Sequence, residues 1–187
     1  IWSVNDFDDK IVEQYKKYSD YMVYISLPVM TNKSEIDKIR NILSKCPNWG
    51  VVANNYYALS LKSADKTIIG SNLNVYNSYA VKYYAERGYK HIILSIEEHP
   101  YIKNCGVNLY CFKDYYPEYM YFRHCPFKEH LHSTCSNCTY KENLTYHLNN
   151  RDFVIKRKKI VSCQFVLKAK SVRHENIQEN ANAIEEI

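Results

Sequence analysis

The chain has 187 residues, 46% of them hydrophobic and 24% charged, with a formal net charge of +5. That length allows one domain and a small appendage, and the hydrophobic content is enough for a sizeable core. No apolar stretch approaches the roughly 20 residues that span a bilayer, which excludes a transmembrane helix. The first residues lack the regions of a signal peptide, so we expect a cytoplasmic protein with no membrane partner.

Two sequence patterns alternate along residues 6–96. Apolar side chains recur at helical spacing in four segments, namely 6–18, 34–46, 55–63 and 76–84. Runs rich in β-branched and aromatic residues predict buried strands at 21–27, 50–54, 66–70 and 91–96. Four strands alternating with helices indicate βα units on a parallel sheet.

The pattern changes after residue 100. Strand-like segments follow at 107–112, 119–123, 144–148, 153–157 and 160–167. The last three alternate apolar and polar residues, which predicts a small antiparallel unit whose final strand carries Cys163. Residues 174–187 lack apolar periodicity, and we expect them to form a loose tail or an end helix.

Four cysteines stand close to this unit. Cys125, Cys135, Cys138 and Cys163 are separated by nine, two and twenty-four residues. Thiolates suit zinc or the iron of an iron–sulfur cluster, and the C-x-x-C pair places two of them on one turn. Buried thiols, or disulfides in an exported protein, are the alternatives. Any of His124, His130 and His132 could replace a sulfur as a zinc ligand.

Charge is concentrated at the end of the chain. Residues 151–173 hold eight basic residues and one acidic residue, a net charge of +7, whereas the tail from residue 174 carries −4. The basic run Lys156, Arg157, Lys158 and Lys159 could bind RNA or another polyanion through its phosphates. An ordinary solvated strand face is the alternative.

Four short motifs occur in a particular order: L-N-V-Y-N-S at 73–78, L-S-I-E at 94–97, R-H-C-P at 123–126 and C-S-N-C at 135–138. Together they resemble the collagenase-like group known as peptidase family U thirty-two, over most of residues 21–167. The resemblance implies an α/β fold: a partial (β/α) barrel with parallel strands, followed by a small cysteine-rich antiparallel β unit. We assign the barrel to 1–118, the cysteine-rich unit to 119–173 and an acidic tail to 174–187.

The chain departs from that family in three respects. The family's Asp-Arg pair is Asn150-Arg151 here, and Lys168-Ala-Lys-Ser171 replaces an Asn-Ser step. Only four barrel strands are predicted before the cysteines, whereas a closed barrel needs about eight. We therefore expect a portion of a longer protein, a half barrel completed by a partner subunit, or a degenerate relative.

The resemblance also implies chemistry. Relatives of this family are oxygen-independent hydroxylases of RNA bases or of a quinone precursor, and four cysteines in them hold a 4Fe-4S cluster. By this resemblance Cys125, Cys135, Cys138 and Cys163 would ligate the cluster, and the basic strand favours RNA as substrate. The alternatives are a zinc-stabilised RNA- or protein-binding module without catalysis, and a collagenase-like peptidase for which we identify no catalytic constellation.

Three polar residues are candidates for the catalytic site. Asn74, Asn77 and Glu97 follow predicted strands, and barrel active sites form at the carboxyl ends of strands. Each has a structural alternative, because an asparagine there can cap the next helix and the glutamate can pair with a lysine or arginine.

Overall fold

A computed structural model of the protein describes residues 1–97, 102–112, 114–115, 118–130, 134–135, 138, 144–169, 172–173 and 182–184. These residues form a parallel sheet, a separate four-stranded antiparallel sheet and helices. The predicted fold class, a partial parallel barrel followed by a small antiparallel β unit, is confirmed.

The parallel sheet follows chain order across its first six strands. These are β1 (Trp2–Ser3), β2 (Tyr24–Ser26), β3 (Gly50–Ala53), β4 (Thr67–Ile69), β5 (His91–Ile93) and β6 (Asn108–Phe112). The four predicted barrel strands contain β2 to β5, and every pairing between neighbours is parallel. The carboxyl ends of these strands therefore meet at one edge of the sheet, as in a barrel.

In the part of the chain that the structure describes, four helices accompany the sheets: α1 (Lys10–Lys17), α2 (Lys33–Ser44), α3 (Ser78–Ala85) and α4 (Pro126–His130). Short 3-10 turns cover Tyr56–Ser60, Ala64–Lys66 and Ser71–Leu73. Within the described ranges, no helix has both the length and the apolar character that crossing a membrane requires.

In the predicted helical segment 34–46, the sequence Ser34-Glu-Ile-Asp37 has the pattern of a capping box, but α2 starts earlier. Asn32 is the N-cap: its side-chain oxygen accepts from the backbone N–H of Glu35, and the Glu35 carboxylate accepts from the Asn32 N–H. Ser34 donates its hydroxyl to Asn32 instead. Asparagine is at least as good an N-cap as serine, so the box forms two residues earlier.

The main core lies between the helices and the parallel sheet. Its largest buried side chain is Trp49, which packs edge-on against Trp2 and Tyr15. Cys46 lies near the apolar face of the predicted helix 34–46, which predicts a core thiol, and it is fully buried there. A second apolar cluster, built on Phe127, Ile155 and Phe165, belongs to the antiparallel unit.

The antiparallel sheet is formed by β8 (Glu118–Phe122), β9 (Leu144–Leu148), β10 (Arg151–Lys159) and β11 (Cys163–Ala169). Their order across the sheet is β8-β11-β10-β9. Two short strands, β7 (Asp114–Tyr115) and β12 (Val172–Arg173), pair with each other. Cys163 begins β11, which agrees with the prediction that the last strand carries it.

The tail differs from the expectation of a loose segment or an end helix. Residues Asn182–Ile184 form a further strand, β13, which pairs in parallel with β6 at the edge of the main sheet. A three-residue edge strand is specified largely by main-chain hydrogen bonds, which leave little trace in side-chain periodicity.

The two sheets are joined at the end of β10. The backbone N–H of Phe7 donates to the carbonyl of Lys159 at 2.8 Å, and the Lys159 N–H donates to the carbonyl of Asn5 at 2.7 Å. Asp6 pairs with Arg157 across the same junction at 3.0 Å. The antiparallel sheet therefore has a fixed position relative to the parallel one.

Candidate functional site

Two cavities lie on opposite faces of the antiparallel sheet. Lys158 stands opposite Gln164, and Lys159 stands opposite Cys163, in the register of β10 and β11. Side chains of directly opposed residues point to the same face of a sheet, and consecutive residues point to opposite faces. The first pair lines what we call the rim cavity and the second pair lines the cysteine cavity.

The cysteine cavity brings together the four predicted metal ligands. Cys125 lies between β8 and α4, Cys135 and Cys138 follow α4, and Cys163 begins β11, yet all four line this one cavity of about 760 Å³. Among the described side chains, no three histidines, cysteines or carboxylates are close enough together to hold a single metal ion. The four cysteines thus share a cavity without forming a closed single-ion site.

Arg157 supplies a test of whether a metal group fits this cavity. Its side chain is only 10% exposed and binds both oxygens of Asp6 at 3.0 and 3.1 Å. One terminal nitrogen, Nη1, lies 3.8 Å from the sulfur of Cys163, and the buried Nε has no hydrogen-bond partner in the described structure. Because Nη1 lies beside a thiol and the same guanidinium keeps an unpaired buried donor, the residues fit a thiolate-ligated group with further sulfur acceptors.

The charges around the cysteine cavity also favour a thiolate-ligated group. Four cationic side chains line it, together with two carboxylates: Lys38, Arg123, Arg157, Lys159, Asp6 and Asp8. Four thiolates around a zinc ion or an iron–sulfur cluster carry net negative charge, which nearby cations stabilise. Phe127 and Phe165 give the cavity an apolar wall that strengthens such interactions.

Glu35 connects α2 to the edge of the cysteine cavity. Its carboxylate is completely buried and binds Arg123 and Ser162, which both line the cavity. Burial alone would raise the pKa of Glu35, but hydrogen bonds from Arg123, Asn32 and Ser162 outweigh it. The pKa of Glu35 therefore lies below its ordinary value.

The three histidines have different positions in relation to this site. His124 is mostly exposed, and its Nε2 lies 2.7 Å from the carboxylate of Glu129. The side chain of His130 and the whole of His132 lie outside the described residues. The structure thus gives His124 a partner on α4 and does not bear on the other two.

The rim cavity lies between the carboxyl ends of the parallel strands and the polar face of the antiparallel sheet. Its volume is about 90 Å³, room for a group the size of one small ring. Polar side chains from both sheets line it, among them Ser26, Asn54, Asn72, Tyr121, Gln164 and Lys168. A cavity at the carboxyl ends of parallel strands is where α/β barrels form active sites.

A chain of polar contacts forms one side of the rim cavity. The Asn72 amide donates to the hydroxyl of Tyr121 at 2.9 Å, and that hydroxyl donates to the carboxylate of Glu118. Glu118 in turn pairs with Lys168 at 2.8 Å, although the Lys168 side chain is only 7% exposed. A buried lysine held by a carboxylate makes this a fixed polar wall.

Gln164 is the least satisfied polar group of the rim cavity. The residue is 5% exposed, and its amide Nε2 is buried without a hydrogen-bond partner among the residues described. Leaving such a donor unpaired costs about 1–3 kcal/mol, so it suits a ligand that brings an acceptor. Sequence reasoning missed this residue, although a glutamine between Cys163 and Phe165 in a largely apolar strand is a visible signal.

Asn54 forms the opposite wall, and Gly70 makes room for it. The Asn54 amide donates to the Ser26 hydroxyl at 3.1 Å and to the Leu27 carbonyl at 2.9 Å. A Cβ atom at Gly70 would lie 2.1 Å from the Asn54 side-chain oxygen. Glycine at this position is therefore needed for the close approach of the two strand ends.

The three predicted catalytic candidates lie elsewhere. Asn74 has a left-handed backbone with φ of 55° and is exposed. Asn77 caps α3, accepting from the Ala80 N–H at 2.9 Å, which is the structural alternative that we gave for it. Glu97 is exposed, and its N–H donates to the Ser95 hydroxyl. Within the described structure, none of the three lines either cavity.

The predicted nucleic-acid-binding run is divided between the two faces of its strand. Lys156 and Lys158 point to the face of the rim cavity, whereas Arg157 and Lys159 point to the cysteine cavity. The run is therefore not one continuous basic surface, and only its rim-facing half lies beside the strand ends.

Comparison with protein-family profiles, with curated proteins and with solved structures finds no match to this chain. Fold and site together define the class of the protein: an α/β protein in which a partial parallel barrel carries a small antiparallel sheet with four cysteines around one cavity.

Proposed function

We propose that this chain is the C-terminal part of a relative of peptidase family U thirty-two, acting in the cytoplasm as an iron–sulfur-dependent, oxygen-independent hydroxylase of RNA. The supporting observation is that the four cysteines of the family resemblance, drawn from separate parts of the sequence, line one cavity. Hydroxylase activity is favoured over peptidase activity because we identify no catalytic constellation for a peptidase in the sequence.

In this proposal Cys125, Cys135, Cys138 and Cys163 hold a 4Fe-4S cluster. The bound cluster would supply one-electron transfer. Arg157 would donate hydrogen bonds toward sulfur and stay in place through Asp6, which binds it at two points. Phe127 and Phe165 would keep water from one side of the site.

The rim cavity would bind the reacting group of the substrate. It lies at the carboxyl ends of the barrel strands, and Gln164 offers an unsatisfied donor to a carbonyl oxygen or ring nitrogen. The rim cavity and the cysteine cavity are separated only by the thickness of β11, since the adjacent residues Gln164 and Cys163 line one cavity each. A substrate and a redox group would therefore be close while remaining on different faces of one sheet.

The remainder of the RNA would bind through its phosphates. Lys156 and Lys158 lie on the rim face of β10, where they can neutralise phosphates next to a group inserted in the cavity. The other barrel strands would come from an N-terminal half or a partner subunit, which can pair with the edge strand β1.

Nucleoside analysis tests the activity. RNA from cells with and without the gene, grown without oxygen, is digested and searched by mass spectrometry for a nucleoside heavier by one oxygen atom. We expect that nucleoside to disappear on deletion, to return with the wild-type gene or Cys105→Ser, and to stay absent with Cys135→Ser. An unchanged nucleoside profile on deletion would contradict the RNA hydroxylase proposal.

RNA binding is tested with total transfer RNA at about 50 and 200 mM salt. Replacing Lys156 and Lys158 with serine should weaken binding at least about fivefold and reduce the salt slope by about two, one for each lost phosphate contact. The control replaces Lys16 and Lys33, two exposed lysines on α1 and α2, and so removes the same charge. If both pairs of substitutions weaken RNA binding equally, the lysines of β10 contribute only through the net charge of the protein.

A further inference from the structure

Glu35 makes more contacts to the antiparallel unit than its role in a helix cap requires. Its Oε2 accepts from the Asn32 N–H at 3.0 Å, which completes the capping box of α2. The same carboxylate also contacts the cysteine-bearing unit. It is completely buried, and a charged group in that position must be paired and hydrogen-bonded.

Two residues of the antiparallel unit satisfy this carboxylate. Arg123 binds it in a bidentate manner, with Nη1 at 3.1 Å from Oε1 and Nη2 at 2.8 Å from Oε2. The Ser162 hydroxyl donates to Oε1 at 3.1 Å and accepts from Arg123 at 3.2 Å. The three side chains form a closed triangle, in which each contacts the other two.

The two partners of Glu35 stand next to two of the four cysteines. Arg123 follows β8 and precedes Cys125 by two residues, and Ser162 directly precedes Cys163. Cys125 and Cys163 thus enter the cavity from separate backbone segments that are both tied to one buried carboxylate. A bidentate arginine–carboxylate pair fixes orientation as well as distance.

We propose that Glu35 is a positioning residue for the four-cysteine site, acting through Arg123 and Ser162 to hold Cys125 and Cys163 at the separation that a bound metal group needs. This inference rests on the proposed function only in assuming that the four cysteines ligate metal, whether iron–sulfur or zinc. In this inference a residue of the barrel half supports the metal site through Arg123 and Ser162, without contacting a cysteine sulfur itself.

The alternative is that the triangle only joins the two sheets. In that case its loss would lower the unfolding temperature and leave metal binding to the folded protein unchanged. Groups that orient metal ligands affect metal affinity about 10- to 100-fold, so metal retention separates the two roles.

The test compares Glu35→Gln, which keeps the size of the side chain and removes its charge, with Asp37→Asn on the same helix. Asp37 pairs with Arg40 at 2.8 Å in an exposed i, i+3 contact, and neither residue lines the cysteine cavity, so the control removes an ion pair from the same helix without touching the cavity. The proteins are purified without oxygen. Iron, sulfide and zinc per chain are measured, followed by the rate of metal loss to a chelator below the unfolding temperature.

We expect Glu35→Gln to lose metal at least about tenfold faster than wild type, and Asp37→Asn to stay within about twofold. Ser162→Ala, a smaller change, should give an intermediate rate and serves if Glu35→Gln does not fold. A folded Glu35→Gln or Ser162→Ala protein that loses metal at the wild-type rate would overturn the inference while leaving the proposed function standing. A wild-type protein that binds neither iron nor zinc would overturn both.

Discussion

Cys163 and Gln164 are consecutive residues of β11, yet they line different cavities: the thiol lies in the four-cysteine cavity and the amide in the cavity at the strand ends. The alternation of a β-strand places them on opposite faces. A single strand thus connects a candidate redox site to a candidate substrate site, and both can be tested by substitutions one residue apart.

The C-x-x-C pair gives the first prediction. Cys135→Ser should remove most of the bound metal, because a serine hydroxyl is a far poorer ligand than a thiolate for zinc or cluster iron. Metal content per chain is the measurement, and Cys105→Ser is the control, because Cys105 is exposed and outside the cysteine cavity. Full metal content and stability in Cys135→Ser would show that the cysteine assignment is wrong.

Gln164→Leu should have opposite effects on stability and on function. Removing a buried, unsatisfied amide should raise the free energy of unfolding by about 1 kcal/mol in the ligand-free protein. The same change should lower RNA modification, because the ligand loses its donor. Urea unfolding and nucleoside analysis measure the two effects, with Gln14→Leu on the exposed face of α1 as control. Loss of stability in Gln164→Leu would mean that the amide is satisfied in the folded protein.

Arg157 should raise the reduction potential of the proposed cluster. Hydrogen bonds and positive charge near the sulfurs raise a cluster's reduction potential, and Arg157 Nη1 lies 3.8 Å from Cys163 Sγ. Arg157→Gln should lower the potential by on the order of 60 mV, the equivalent of one charge-assisted hydrogen bond. Lys159→Gln, which removes an exposed charge from the same cavity, should shift it less. Equal shifts would point to net charge rather than to the contact with Cys163.

The free energy of unfolding should fall at low pH because Glu35 becomes protonated there. Because the folded-state pKa of Glu35 is depressed, its stabilisation is complete above its unfolded value of about 4.3 and is lost as the pH falls through the folded value. Glu35→Gln should cost about 1–3 kcal/mol at pH 7, and wild type and variant should converge once the pH falls below the folded-state pKa of Glu35. Urea unfolding across this range, with metal content recorded at each pH, checks the sign. A difference independent of pH would contradict the assignment.

The sequence predicted those parts of the structure that local patterns determine. Strands β2 to β5 and β11 follow from β-branched runs and alternation, and Cys46 was correctly predicted in the core. The convergence of four cysteines on one cavity agrees with their spacing and with the family resemblance, although ligation stays a prediction. Local patterns also suffice for the cap of α3 at Asn77.

The rest of the candidate site depends on how strands that are distant in the sequence pair and dock. Glu118 and Lys168 meet only because β8 pairs with β11, and Gln164 reaches the strand ends only because that sheet docks there. The contact of Glu35 with Arg123 joins residues 88 positions apart. No local pattern encodes such pairings, so position along the chain predicts Asn74, Asn77 and Glu97 as candidates and does not single out Gln164 or Glu35.

The most direct test of this account is the iron, sulfide and zinc content of the wild-type protein, purified without oxygen, together with its visible spectrum. We expect about four irons and four sulfides per chain with broad visible absorbance, as for a cysteine-ligated cubane. One zinc and no colour would make the cysteine cavity structural and contradict the proposed iron–sulfur hydroxylase. Neither metal would contradict the assignment of the four cysteines itself.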